Sequence, residues 1–232
     1  MVSITDFTSN RVTNPGQSEI VRQRLYDYQL YPLAGSQQLS FFQAPIGQGV
    51  TTALGATVGA AKSQWDTNME LGGQLPSGKS FLVESIEVLY LPGASNAANT
   101  YTTANLSQFA AVSALAVTGA IQDVQQFYSS GMLELNILSK NYLRETPLMA
   151  FPPKAMLDLS SSSATNSATT SLVAQTLAKA AGRPYYIEPR VTLQPSVNFE
   201  VLLRWPALVP TISTNNARVG VILDGYQLRA SQ

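Results

Sequence analysis

From Leu39 onward the chain alternates apolar and polar positions in short runs broken by turn residues. That pattern predicts an all-β sandwich or barrel. Eight runs read as strands: Leu39 to Ala44, Thr67 to Leu71, Ser80 to Leu91, Met132 to Leu138, Tyr142 to Phe151, Tyr185 to Leu193, Val197 to Trp205 and Arg218 to Leu228. The period of two is clearest in two of them. Phe199, Val201, Leu203 and Trp205 fall on one face, with Asn198, Glu200 and Arg204 on the other; Leu133, Leu135 and Ile137 likewise oppose Glu134 and Asn136. Proline stands at the run boundaries, at Pro45, Pro76, Pro92, Pro152, Pro153, Pro184, Pro195 and Pro206, where its missing N–H does least harm to a ladder. Asp224-Gly225, inside the last run, is a hairpin-type turn signal.

Three stretches depart from the pattern. Residues 1–38 mix polar, Pro and Gly positions with Arg22, Arg24, Tyr26, Tyr28 and Tyr31, and read as an extended N-terminal arm ahead of one domain at 39–232. Asn105 to Phe127 and Thr165 to Ala181 are rich in Ala and Ser and read as helices, carried by insertions at about 105–127 and 158–182. The tract Ser160 to Thr170 also suits a disordered loop. The spacing of runs on either side of residue 120 leaves an alternative of two small stacked β-barrels.

Composition narrows the chemistry more than the fold. The 232 residues contain no His and no Cys. Ser-His-Asp and Cys-His triads, His general bases, Cys/His zinc sites and disulfides are therefore excluded. Lys plus Arg is 14, Asp plus Glu is 14, and only 12% of residues are charged, against about 25% in ordinary soluble domains. A neutral, sparsely charged surface rich in Ser, Thr, Asn, Gln and Ala favours association. The balance of charge speaks against a dedicated nucleic-acid binder. Met1 to Gln23 shows no signal peptide, and the apolar run Phe109 to Ile121 is too short to span a bilayer.

One motif points elsewhere. Gly73-Gln74-Leu75-Pro76-Ser77-Gly78-Lys79-Ser80 fits the phosphate-binding G-x-x-x-x-G-K-S pattern, and Val221-Ile222-Leu223-Asp224 imitates the strand whose Asp completes a magnesium site. A working loop needs a buried strand before it and a helix starting at the Lys. Trp65 to Leu71 lacks the apolar run, and Phe81 to Leu91 is rich in β-branched and aromatic residues. The match at Gly73, Gly78, Lys79 and Ser80 is read as accidental, leaving no cofactor, no metal and no catalytic residue assigned. Glu84 and Glu87, three apart, face opposite ways on a strand. Asp66 and Glu70 lack the rest of a calcium loop, and Asp123, Asp158 and Glu188 stand alone. The cluster Arg22 to Tyr31, and Tyr185-Tyr186 near Arg183 and Arg190, suit stacking on bases or sugars but suit protein interfaces better.

The order of eight β runs, helical or loop excursions, an N-terminal arm and a final pair around Asp224-Gly225 resembles the jelly-roll major capsid proteins of tailless icosahedral viruses of bacteria and archaea. The resemblance implies an eight-stranded jelly roll and a non-enzymatic, self-assembling shell subunit of the virion, made in the host cytoplasm. Its partners would be copies of itself in trimers or hexameric capsomers, other capsid proteins and, in some such viruses, an internal membrane. A decoration or spike protein, a carbohydrate-binding jelly roll and a nucleotide-binding protein are the alternatives. No strongly basic arm is present, which argues against direct genome packaging.

Overall fold

The structure is a computed structural model that describes residues 18–51, 58–91, 114–154, 156–166, 169–179, 182–212 and 216–230, with only the backbone path for 49–51, 58–60, 114–121, 156–166 and 169–179. Its strands are β1 (Glu19–Tyr31), β2 (Gln38–Phe41), β3 (Gly49–Thr51), β4 (Val58–Ala61), β5 (Lys79–Leu91), β6 (Met132–Ile137), β7 (Lys140–Pro147), β8 (Met156–Asn166), β9 (Thr169–Lys179), β10 (Tyr185–Leu193), β11 (Phe199–Arg204) and β12 (Ala217–Arg229). One helix, α1 (Ala114–Ser130), precedes β6, and a 3₁₀ turn, Leu148–Ala150, follows β7.

Two four-stranded antiparallel sheets form the body, in the orders β1-β12-β5-β10 and β2-β11-β6-β7. The pairs β1·β12, β2·β11, β5·β10 and β6·β7 describe a single long antiparallel hairpin. Wrapped around itself, that hairpin places alternate pairs in opposite sheets. The inner faces meet in one core built from Phe41, Phe81, Ile86, Val88, Leu135, Val201, Leu203, Val219 and Val221 among others. The described residues thus make one sandwich, not two stacked barrels.

Burial follows the alternation on β11, where Phe199, Val201 and Leu203 face the core. At one end Phe127, from the last turns of α1, packs against Tyr31, Tyr90 and Trp205 with ring centroids 5.7, 4.5 and 5.3 Å away. An edge-rich aromatic cluster of this kind gains from both buried area and ring geometry. The Tyr31 hydroxyl donates to the Val209 carbonyl at 2.6 Å, and that of Tyr128 to the Val88 carbonyl at 2.6 Å. Burial pushes the Tyr31 phenol up to about 12, so these hydroxyls remain donors.

Four sequence expectations change. The arm was drawn to residue 38, but Glu19–Tyr31 is β1, paired with β12 along all 13 residues. Its alternation is hidden because the core-facing set includes Asp27 and Gln29 while the outer set mixes Arg22, Arg24, Tyr26 and Tyr28 with Ile20 and Leu30. Residues 1–17 lie outside the described residues. Thr67 to Leu71 gives isolated bridges only, Asp27↔Thr67 and Leu71↔Gln74. The second Ala/Ser-rich insertion is a hairpin, β8 with β9 in unbroken register, and neither a helix nor a loop. Thr165, Thr169, Thr170, Val173 and Thr176 supply the β-branched residues that outweigh its Ala content.

The fourth change concerns Asp224-Gly225, which makes no turn: β12 runs straight through it. Opposite, β5 carries one extra residue. Ser85 pairs with Asp224 and Val83 with Gly225, which leaves Glu84 as a bulge. Glycine is required at 225 because a Cβ there would lie 1.9 Å from the Leu82 carbonyl oxygen. Gly225→Ala is expected to lower stability by about 2 kcal/mol or more, since the obstacle is backbone and cannot rotate away. The shift of the urea-unfolding midpoint measures it.

Candidate functional site

The bulge decides where the charges of β5 go. Phe81 and Val83 face the core before it, and Ile86, Val88 and Tyr90 after it. Glu84 and Glu87 therefore project from the same outer face, contrary to the simple alternation of a strand. Asp224, on neighbouring β12, joins them. All three are buried, with side chains 11%, 3% and 3% exposed, so each needs a cationic partner. Arg190 reaches Glu84 at 3.0 Å, and Arg22 reaches Asp224 at 3.2 Å and Glu84 at 3.6 Å. Lys154 bonds Asp224 through its Nζ and lies 3.4 Å from Glu87, while its backbone N–H donates to Glu87 at 2.9 Å. Burial alone would raise the Asp224 carboxyl, but the hydrogen bonds from Lys154 and Arg22 hold it below its ordinary range.

This network ties the strand order together from outside the core. Lys154 lies just beyond the 3₁₀ turn and Arg190 is on β10, so both flanks of β8–β9 are fastened to the β5 face. It also absorbs most of the Arg and Tyr clusters singled out in the sequence. The Arg22 guanidinium stands 5.5 Å over the Tyr226 ring, Tyr185 packs on Phe151 at 4.7 Å, and Arg183 stands 5.9 Å from the centre of the Tyr186 ring. Only Tyr186 of that second pair is exposed.

The phosphate-loop match does not have the surroundings of a working loop. Lys79 opens the 13-residue strand β5, not a helix, and its Nζ pairs with Glu70. Gly73 and Gly78 take positive φ values of 70° and 80° as turn residues. Asp224 lies in mid-strand, held by Lys154 and Arg22. The cleft beside Lys79, lined by Gln23, Asn68, Gln74, Gln227 and Arg229, holds about 50 Å³, against about 300–1,000 Å³ for a small-molecule pocket. Asp66 is likewise occupied: it accepts from Arg218 at 2.9 Å and from the Ser63 backbone N–H at 3.0 Å. Asp123 is buried and accepts the Ile212 N–H, Glu188 is exposed, and the side chain of Asp158 lies outside what is described. Among the described residues no group of acidic side chains is arranged to hold a metal ion.

The opposite character marks the end of the sandwich near α1. The connections 32–37, 148–153 and 205–216 contain no charged residue. They are knitted together by Thr211 N–H to Leu33 O at 2.9 Å, Trp205 N–H to Gln37 O at 2.9 Å and Leu148 N–H to Gly131 O at 3.0 Å. The charged residue of α1, Asp123, is turned inward. Among the described residues, the large apolar side chains exposed there are Leu33, Met149, Leu208 and Ile212, each about half exposed or more.

Sequence reasoning missed the buried charge pairs altogether. Asp27 and Lys62 are both fully buried and 2.5 Å apart, and Arg218 sits 4.3 Å over the Tyr28 ring while bonding Asp66. Asp27 lay in the segment read as an arm, and Lys62 had no neighbouring signal. No family model matches the chain, and neither a curated protein nor a solved structure was found to be similar to it. Among the described residues no helix is long and apolar enough to cross a membrane.

Three outcomes follow from this geometry. The folded pKa of Asp224 is depressed, so its stabilising contribution is full above about pH 4 and is lost as pH falls through the folded value. The stability gap between wild type and Asp224→Asn, from urea midpoints at successive pH values, is expected to close below about pH 4. Lys79→Ala is expected to change stability by no more than about 0.5 kcal/mol, because its partner Glu70 is exposed. Calorimetric titration with magnesium-ATP is expected to give no binding heat for either protein.

Proposed function

We propose that this chain is a jelly-roll capsid protein: a non-enzymatic subunit that assembles with copies of itself into the shell of a virion. The observation that carries the reading is the strand order. A long antiparallel hairpin wrapped into sheets β1-β12-β5-β10 and β2-β11-β6-β7 is the arrangement expected of a jelly roll, in which two four-stranded sheets enclose one core. The fold alone does not carry function. The distribution of charge supplies the rest.

With 14 cations and 14 anions, the chain commits Arg22, Lys62, Lys79, Lys154, Arg190, Arg204, Arg218 and Arg229 to ion pairs within itself. Among the described residues, the connections 32–37, 148–153 and 205–216 at one end carry no charge, and Leu33, Met149, Leu208 and Ile212 are exposed there. Two copies meeting there would desolvate no ions and would meet no like-charge repulsion, the composition that the core of an association surface has. A repeated self-complementary surface of this kind closes a capsomer, and further contacts between capsomers would build the shell.

The experiment is electron microscopy and light scattering of the purified protein, with the double variant Met149→Glu, Leu208→Glu as the comparison. Wild type is expected to form capsomers or shells at high concentration. The variant is expected to keep its circular dichroism spectrum and remain monomeric, because each contact would bury unpaired carboxylates. A wild-type protein that stays monomeric, and source particles without ordered copies of it, would refute the reading. Saturable glycan binding by a monomer would favour the carbohydrate-binding alternative.

A further inference from the structure

We propose that Lys62 and Asp27 condense after folding into an intramolecular isopeptide bond, which staples the edge strand β1 to the base of the β3–β4 hairpin. Four observations carry this. Both side chains are 0% exposed, and Lys62 Nζ lies 2.5 Å from Asp27 Oδ1. Asp27 is on the core-facing side of β1 with Leu25 and Tyr31, so no water dilutes the encounter. Lys62 is held by its backbone at both ends, its N–H donating to Gln48 O at 2.8 Å and its carbonyl accepting from Gly47 N–H at 2.8 Å. The fourth is the backbone of Phe42. This buried, non-glycine residue has φ of 69°, a conformation that persists only where its surroundings hold it. In it, the Phe42 N–H donates to Asp27 Oδ2 at 2.7 Å.

The arrangement contains what an amide condensation needs. A charged pair wholly removed from water is costly, and burial pushes the Asp27 carboxyl up against the opposing pull of Lys62, the Phe42 N–H and the Thr67 hydroxyl. Transfer of one proton from the ammonium to Oδ1 discharges both groups and leaves a neutral amine beside a neutral carboxylic acid. The Nζ lone pair then adds to Cγ, forming the C–N bond and moving the C=O electron pair onto Oδ2. That oxygen already accepts the Phe42 N–H, placed where the negative charge develops. Collapse restores the C=Oδ2 bond and breaks Cγ–Oδ1, and the hydroxyl leaves with a proton from Nζ as one water. No oxidant or third reactant enters. Fixed approach of this kind replaces the encounter of two separate molecules.

The test is the intact mass of the full chain under denaturing conditions, after the folded protein has been incubated. Wild type is expected one water below the mass of its sequence, with a branched peptide joining the Asp27 and Lys62 segments after digestion. Lys62→Met is expected at its full sequence mass. Wild type at full mass, with Lys62 recovered in a linear peptide, overturns the proposal and leaves an ion pair. A water loss that persists in Lys62→Met also overturns it, since the loss would then come from cyclisation elsewhere.

Discussion

One extra residue in β5 sets the geometry on which the two sheets depend. A strand of 13 residues at the centre of a sheet must keep its apolar side inward over its whole length, and the sequence of β5 changes phase partway along, from Phe81 and Val83 to Ile86, Val88 and Tyr90. Without Glu84 bulged out, one half of the strand would turn its apolar side chains away from the core. The bulge is matched on β12 by Gly225, whose missing side chain admits the Leu82 carbonyl. It is matched on β10 too, where pairing with β5 skips between Tyr186 and Val191. Three strands thus share one irregularity, and the acidic face it creates is where Arg22, Lys154 and Arg190 converge.

The edges are managed by buried polar chemistry. β1 ends one sheet and β2 the other, and a free edge is a template for unwanted pairing. Residues 66–68 lie along β1, with Tyr28 N–H donating to Asp66 O at 2.7 Å and Asn68 N–H to Tyr26 O at 3.4 Å. Arg218 reaches over the Tyr28 ring to clamp Asp66. Gly220 makes room for this, since a Cβ there would lie 2.2 Å from the Tyr28 ring. Asp27 secures the inner side through Lys62 and the Phe42 N–H. Buried charge at these positions fixes which segment covers the edge, a specificity that apolar packing alone would leave looser.

This division explains what could be read from the sequence. Strands with one dry and one wet face, such as β6 and β11, declared themselves through their period, and proline marked many of their ends. α1 was legible from its Ala-rich run, although its described part begins at Ala114. β1 was not, because Asp27 and Gln29 face inward, where the pattern demands apolar residues, and Arg and Tyr face outward. The hairpin β8–β9 was hidden by Ala and Ser, whose helix propensity says little once each strand finds a partner. The bulge leaves only an indirect trace, a three-residue step between inward positions that reads equally well as a helical spacing. Glu84 and Glu87 were placed on opposite faces because an unbroken strand alternation was assumed. Asp27 and Lys62, 35 positions apart, carry no local signature at all.

The sparse charge of the chain has a structural meaning that composition alone does not give. Low charge in a small protein ordinarily leaves a uniformly soft surface. Here many of the ion pairs gather on the outer face of β5 and along the β1 edge, where they hold the strands together, with Arg204–Glu134 on the other sheet. The connections 32–37, 148–153 and 205–216 carry no charge. Leu33, Met149, Leu208 and Ile212 are then exposed at an end whose backbone is fixed by hydrogen bonds between connections and by the aromatic cluster beneath. Rigid, apolar and uncharged surface loses little conformational freedom on contact and desolvates no ions. Among the described residues, the interactions that hold the sandwich together thus lie apart from these apolar, uncharged connections.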